Sequence, residues 1–563
     1  MDGGRFPIKR IAGDTITVEA DLFADGHEPV EGALLVRNGA DRRWTEIPLS
    51  PLDNDRWGAS FLVSREGFYA YTLKGWVKGK PENPTFYQTS FERHDDGFLV
   101  RVDREKARFS AWYELFPRSC AKEPGRHGTF RDVESWLPYI AGMGFDVLYL
   151  PPIHPIARTK RKGKNNSLEA GPDDPGSPWA IGSAEGGHKS VNPELGTLED
   201  FRRLSARSQD AGLEVALDIA LQCSPDHPYV REHPGWFRHR PDGSIQYAEN
   251  PPKKYEDIVP FDFETKQWKK LWEEMLSIFL FWAGQGVRIF RVDNPHTKPF
   301  DFWEWLIAQV QRKYPDALFL SEAFTRPKVM MRLAKLGFSQ SYTYFTWRSS
   351  RAALADYFTE ITKGPAREFF RPSVWPNTPD ILAGPLRQGE MPAFRMRLVL
   401  AATLAASYGI YGPAFELCEN RPHDSENEEY LNSEKYELKQ WDVRRPDGLK
   451  ELITRVNRIR RENRALQRDE GLEFHPAGND QLLCYSKRSA DGKNLLLMVV
   501  NLDPKAKQSG TVDLQPERLG LDPGRPFTAE ELLSGTSYTW RAVGNSVELD
   551  PAQGPAQIFR LRQ

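Results

Sequence analysis

The sequence predicts an α/β protein in three parts: a (β/α)8 TIM barrel flanked by N-terminal and C-terminal antiparallel β-sandwich domains. Length is the first ground, because 563 residues divide into about three units at roughly 100–200 residues per domain. Periodicity is the second. Between about Phe109 and Leu466, short apolar runs alternate with longer amphipathic stretches, the pattern of βα repeats around a parallel sheet. On both sides of that stretch the pattern changes to short alternating segments broken by Gly, Asp, Asn and Pro, as in antiparallel sandwiches.

The expected units are residues 1–103, 104–467 and 468–563. In the first, residues 15–20, 33–36 and 69–73 alternate with period two, and the charge-dense stretch 104–108 reads as a linker. Barrel strands are expected at 147–150, 215–219, 287–292, 318–321, 342–345 and 407–411. Helices are expected at 134–141, 198–211, 266–283 and 302–312, which gives the strand spacing of a (β/α)8 barrel. The connections 151–192 and 222–263 are too long to be plain links, and long ordered loops above barrel strands usually carry function. In the last unit the strand-like segments are 482–486, 494–501, 537–541 and 546–549.

Composition narrows the class. Hydrophobic residues make up 39%, charged residues 27%, and the formal net charge is −2, so bulk charge implies no nucleic-acid partner. No leader pattern and no bilayer-length apolar run is present, which makes the cytoplasm the expected location, with no membrane partner. Cys120, Cys223, Cys418 and Cys484 show neither zinc nor disulfide-framework spacing and read as reduced, mostly buried thiols. His188, in Gly186-Gly-His188, reads as a loop residue with local hydrogen bonds rather than a ligand. No cofactor and no metal are expected, because carboxylate acid/base and nucleophilic chemistry needs none.

Active sites of such barrels sit at the C-terminal ends of the strands. Four carboxylates occupy strand-end positions: Asp218, Asp293, Glu322 and Asp380. Any one of them could cap a helix or face solvent, but four in this order on a barrel point to chemistry. Cleaving a glycosidic bond with retention needs two carboxyl groups about 5–5.5 Å apart, one to attack the anomeric carbon and one to move protons. Adjacent strand ends supply that separation. Arg291 lies two residues before Asp293, on the same side of the strand, and offers it a positive partner. Glu322 would have to stay protonated in the ground state.

At these positions the chain resembles the α-amylase clan, glycoside hydrolase family 13, in Asp218-Ile-Ala-Leu-Gln222, Arg291-Val-Asp293, Glu322 and Asn377-Thr-Pro-Asp380. The resemblance implies Asp293 as nucleophile, Glu322 as general acid/base and Asp380 as the third carboxylate, which binds and distorts the sugar. Common amylases carry histidines where this chain has Gln222-Cys223 and Thr378-Pro379. That departure belongs to a signature of seven strings in order, 150–156, 161–166, 179–183, 220–228, 249–255, 291–299 and 377–380, within a resemblance that covers most of the chain. They resemble the maltosyltransferase branch that uses α-maltose 1-phosphate.

That resemblance implies transfer of a maltosyl unit from α-maltose 1-phosphate to the non-reducing end of an α-1,4-glucan, with release of phosphate. It implies phosphate binding by Asn250, Lys253, Tyr255 and Asn294, which are donors flanking the nucleophile's strand. It further implies sugar contacts from Lys162, Asn166, Gln222, Arg291, Asn294, Lys435 and Tyr436. Members of this branch carry a helical insertion that contributes to a homodimer. Residues 78–98 leave no room for one here, so the expected homodimer lacks that contribution. The same carboxylates would also serve a 4-α-glucanotransferase or an amylase-like hydrolase acting on unphosphorylated α-glucan. A non-catalytic glucan-binding protein would not require all three.

Overall fold

The computed structural model describes residues 1–39, 41–78, 97–250, 253–425 and 428–563. Its centre is a closed barrel of eight parallel strands: β1 Ser110–Glu114, β2 Val147–Leu150, β3 Glu214–Ile219, β4 Ile289–Asp293, β5 Leu318–Glu322, β6 Gln340–Tyr342, β7 Pro372–Val374 and β8 Ser407–Tyr411, with β8 pairing back to β1. Five of these follow the expected pattern, and β6 is displaced from it. β1 and β7 were not foreseen: the first is bounded by Ser110 and Glu114 and abuts the charged stretch taken for a linker, and the second is three residues long and begins with proline. The aromatic run expected at 342–345 ends as a strand at Tyr342. Thr343 then accepts a hydrogen bond from the Phe345 amide at 3.4 Å, and Tyr344–Trp347 winds into a 3-10 turn.

Helices fill the connections and begin where the sequence satisfies their free amides. Phe130–Gly142 starts at Thr129 and Leu198–Asp210 at Thr197, each threonine bonding reciprocally with an aspartate three residues on (Asp132, Asp200). Inside the barrel, Trp112, Tyr149, Tyr342 and Trp375 pack above Val147, Ala216, Ile289 and Leu318. A side chain at Gly409 in β8 would come within 2.3 Å of the Trp375 indole, so the smallest residue makes room for one of the largest.

The N-terminal strands form two facing sheets, Asp14–Asp21, Arg56–Val63 and Ser50–Asp53 against Ile8–Ile11, Phe98–Asp103, Gly67–Val77, Val30–Asn38 and Thr45–Pro48. Period-two burial places Ile16, Val18, Leu34, Val36, Val100 and Val102 between them. One edge departs from the antiparallel expectation: Ile8–Ile11 runs parallel to Phe98–Asp103. The stretch 104–108 is docked rather than loose. Arg104 and Lys106 both hold Glu214 at the foot of β3, at 2.6 and 3.0 Å, and Ala107 is buried.

At the other end, a six-stranded sheet is built from Leu472–His475, Leu482–Arg488, Leu495–Asn501, Ala556–Arg562, Phe527–Glu531 and Ser537–Trp540. Its central strand, Leu495–Asn501, is buried at every position. Leu496, Met498 and Val500 join the core of the barrel, while Leu495, Leu497 and Val499 face a second core beneath the pair Gln508–Val512 and Asn545–Leu549. The barrel helix packed on this sheet, Met391–Leu404, is buried on nearly all sides, as its lack of a polar face requires. The four cysteines are free; three are buried and Cys418 is half-buried. Among the described residues no helix is long and apolar enough to cross a membrane, and no cluster of three or more His, Cys, Asp or Glu could hold a metal ion.

The N-terminal sheets are fixed to the barrel's underside by a buried ionic group. Asp103 accepts from Arg101 at 2.8 Å and from Arg371 at 2.5 Å. Burial opposes its charge, but the two guanidinium groups hold the carboxyl down from 3.8 to about 2. Asp103→Asn is expected to cost about 3–5 kcal/mol at neutral pH by stranding buried arginines. Because the folded-state value is depressed, the contribution of Asp103 is complete above about pH 4 and fades as the pH falls towards 2. The urea midpoints of wild type and variant should therefore lie far apart at pH 7 and converge near pH 2.5.

Candidate active site

Asp293 and Glu322 are the last residues of β4 and β5 and lie directly opposite each other in register. Asp218 is near the end of β3, beside Arg291 in register, and Asp380 lies in the turn after β7, where Thr378 pairs with Ile381. The same end of the barrel thus gathers all four carboxylates.

Arg291 organises three of them. Its Nη1 donates to Asp218 at 2.8 Å and to Asp293 Oδ1 at 3.0 Å, and its Nη2 lies 3.6 Å from Glu322 Oε2. The guanidinium is 5.9 Å from the ring centroids of both Tyr149 and Tyr342. Arg291, expected to touch substrate, is buried and engaged with carboxyl groups. Asp218, also buried, accepts further bonds from the Tyr149 hydroxyl (2.7 Å) and the Trp179 indole (3.1 Å), which makes it the anchor of Arg291.

One guanidinium cannot neutralise three carboxyls, two of them buried and Glu322 nearly so, and protons are retained. Burial raises Asp218 to about 6 against the pull of Arg291, and Asp293 adds to the rise. Burial raises Glu322 to about 8, again against Arg291 and with Asp293 adding. At pH 7 Glu322 is mainly the acid form, beside a partner paired to arginine.

Asn294 bridges the pair. It adopts the left-handed conformation (φ 43°, ψ 52°), which non-glycine residues rarely occupy. In return its amide N–H donates to Glu322 Oε2 at 3.1 Å, and its side-chain nitrogen donates to Asp293 Oδ2 at 3.3 Å. Gln222 reaches the same Oδ2 at 3.5 Å. Asp293 therefore has one oxygen fixed by arginine and one held by longer bonds to neutral amides.

The loops build the outer wall. Lys162, buried in the first long loop, pairs with Glu256 of the second at 2.5 Å. The second loop folds into a hairpin, Ala248–Asn250 against Lys253–Tyr255, and returns along Gln222–Cys223 through Val259–Pro260. Tyr255 is pushed up to about 12, by burial first, and lies within the fields of Lys435, Asp380 and Asp293. The side chains of Asn250 and Lys253 lie outside the described residues. Asn166, left-handed at φ 64°, keeps a buried, unpartnered Oδ1. Lys435 donates to Asp380 and lies 3.8 Å from Glu429. Burial opposes its charge, yet those carboxylates hold it well above the usual lysine range. Tyr436 is buried beneath it, 5.3 Å from ring centroid to ammonium.

His188 is buried behind Gln222. The His227 Nδ1 accepts from the Tyr229 amide, so its Nε2–H donates to His188 Nδ1 at 3.1 Å, and His188 Nε2–H donates to the Ala220 carbonyl at 3.0 Å. A side chain at Gly187 would meet His227 at 2.1 Å, which accounts for the glycine there.

Sequence reasoning missed two buried acids at this site. Among the described residues neither carboxyl oxygen of Asp257 has a well-formed hydrogen bond, and burial raises it to about 6 although its own backbone N–H, Lys162 and Lys435 lower it. Two positions after Tyr255 in a marked string, it could have been noticed. Glu114 ends β1, buried and raised well above the carboxylate range by burial; with β1 unrecognised, nothing pointed to it.

Comparison with known proteins identifies the fold and the family. The family description "Alpha amylase, catalytic domain" matches residues 86–284, "Alpha-1,4-glucan:maltose-1-phosphate maltosyltransferase, domain N/S" matches 1–80, and "GLGE, C-terminal" matches 474–561. Solved structures with the same fold include a cyclomaltodextrinase (TM-score 0.62, 14% identity, 98% of this chain and 97% of that one) and the maltogenic α-amylase AmyB of Thermotoga neapolitana (TM-score 0.61, 18% identity, 81% and 99%). Fold and site together define an enzyme of the α-amylase clan.

Sequence relatives narrow this. A protein of Methylacidiphilum infernorum (isolate V4) is 50% identical over 631 residues, spanning 100% of this chain and 94% of its own. One from Chlorobaculum tepidum is 48% identical, spanning 100% and 95%. Both are named α-1,4-glucan:maltose-1-phosphate maltosyltransferase, and this chain belongs to that family. The aligned span exceeds this chain's 563 residues, so the relative carries residues that this chain lacks.

The protonation of Glu322 has a kinetic consequence. Its acid form is present below about pH 8 and is lost above it, so kcat/KM is expected to fall on the alkaline side with a midpoint near 8. A pH profile between 6 and 10 checks this, and a flat profile to pH 9.5 would contradict it.

Proposed function

We propose that this enzyme moves a maltosyl unit from α-maltose 1-phosphate to the non-reducing end of an α-1,4-glucan, with retention, through a covalent glycosyl-Asp293 intermediate. The carrying observation is the register pair itself: Glu322, held as an acid, faces Asp293, whose Oδ1 is bound by Arg291. Two carboxyls on adjacent strand ends, one protonated and one paired to a cation, are the equipment of retaining glycosyl transfer.

In the first half, Asp293 Oδ2 attacks the anomeric carbon as the bond to the phosphate oxygen breaks. The proton of Glu322 passes to the departing phosphate. In the second half, the acceptor hydroxyl attacks the same carbon, its proton goes to the Glu322 carboxylate, and the bond to Asp293 breaks. Oδ2 is the attacking oxygen because its two contacts, at 3.3 and 3.5 Å, are longer than the arginine bond to Oδ1.

Asp380, oriented by Lys435, serves the sugar hydroxyls as the third carboxylate. Lys162, Asn166, Gln222, Lys435 and Tyr436 complete the maltosyl site, and the unpartnered carboxyl of Asp257 adds an acceptor there. Asn250, Lys253, Tyr255 and Asn294 receive the phosphate, the first three from one hairpin. Support for the phosphorylated donor comes from the relatives, whose names specify it.

The test supplies α-maltose 1-phosphate with maltohexaose. Phosphate should appear together with chains longer by one maltosyl unit. Redistribution of maltohexaose without phosphate release would instead establish an unphosphorylated donor. Glu322→Gln should lower kcat by about 10²–10⁴-fold. Lys253→Ala should lower kcat/KM for the phosphorylated donor by roughly ten- to a hundredfold, the worth of a charge-assisted hydrogen bond, and leave α-maltosyl fluoride turnover near wild type.

A further inference from the structure

Asn294 contacts both catalytic carboxyls only because its backbone is held in a left-handed turn. Such a conformation persists when its surroundings over-determine it. Here the restraint converges on one atom, the Asn294 carbonyl oxygen. It accepts from the Thr297 amide at 3.2 Å, from the Thr297 hydroxyl at 2.8 Å and from the Lys298 ammonium at 3.3 Å. The ammonium also donates to the Thr297 hydroxyl at 2.8 Å, so that hydroxyl accepts from the lysine while donating its own hydrogen to the carbonyl. The following carbonyl, of Pro295, is pinned by the buried Trp303 indole at 2.8 Å.

Lys298 is unusual in what it lacks. It is buried, yet among the described residues it makes no ion pair with a carboxylate, and both of its hydrogen-bond partners are uncharged oxygens. Burying a cation in that way is costly unless something uses it. Burial lowers it to about 8 against the pull of Asp293 and Glu322, and the titratable neighbour in the same turn is His296. A lysine that served only packing would be replaceable by an apolar chain. This one places a positive charge and two hydrogen bonds at the carbonyl side of the residue that contacts both carboxyls.

We propose that Lys298 is a positioning residue: acting through the Asn294 carbonyl and the Thr297 hydroxyl, it holds Asn294 in the left-handed conformation in which its N–H meets Glu322 and its side chain meets Asp293. This rests on the roles proposed above for those two carboxyls. Because the ammonium is a cation near Glu322, it also favours the carboxylate form of that residue.

The test compares Lys298→Met and Lys298→Arg with wild type, using α-maltose 1-phosphate and maltohexaose. Lys298→Met should lower kcat by about ten- to a hundredfold, the scale of a misplaced catalytic group. It should also move the alkaline limb of kcat/KM to higher pH. Lys298→Arg should keep the limb where wild type has it. A Lys298→Met enzyme with wild-type kcat and an unmoved limb overturns the proposal, as does loss of activity with the limb unmoved. If Lys298→Met does not fold, Thr297→Val carries the test, because it removes the shared hydroxyl and keeps the charge: a fall in kcat supports the relay, and wild-type kcat overturns it. If wild type itself releases no phosphate, the donor reading fails separately, and the same kcat comparisons are made with α-maltosyl fluoride.

Discussion

A shortage of positive charge governs this active site. Arg291 is the one guanidinium that Asp218, Asp293 and Glu322 share, in a setting that water screens little. With too few cations for its acids, the site must keep protons, and the residue with the longest contact to the arginine is the one raised to about 8. The division of labour between two chemically similar carboxyls therefore follows from how one guanidinium is shared. Asp218 contributes by holding that guanidinium from the opposite side, with Tyr149 and Trp179 fixing the carboxylate in turn.

Around this centre the barrel supplies rigidity and the loops supply recognition. The barrel interior is filled by large aromatic side chains, so the strand ends that carry Asp293 and Glu322 cannot shift independently. The two long loops meet at the Lys162–Glu256 pair, and the hairpin of the second brings Tyr255 into the fields of Asp293 and Asp380. In the proposed reaction chemistry rests on strands and substrate choice on loops, a division by which one fold can serve both the hydrolases it resembles in shape and the transferases it resembles in sequence.

The parts legible in the sequence were those set by local pattern. Asp218, Asp293 and Glu322 stood out because each closes an apolar strand, and Asp380 stood out through its motif. Five barrel strands showed themselves as apolar runs, and β6, Gln-Ser-Tyr, was displaced onto the aromatic run that follows it. β1 and β7 did not show themselves, since polar ends and a proline hide them and only pairing with neighbouring strands makes them strands. Asp257 was hidden for a related reason: its burial beside Lys162 and Lys435 joins residues far apart in the chain. The retained proton on Glu322 was required by the chemistry, but its cause, a shared arginine, exists only in three dimensions.

The strand Leu495–Asn501 serves two cores at once, with alternate residues turned to the barrel and to the C-terminal sheets. For anyone redesigning the enzyme, this makes the point where the barrel pattern ends a poor place to cut. A catalytic fragment stopping there would bare the apolar flank of Met391–Leu404. The C-terminal unit is the missing wall of the barrel's own interior, and it can be exchanged only for a module presenting the same alternation.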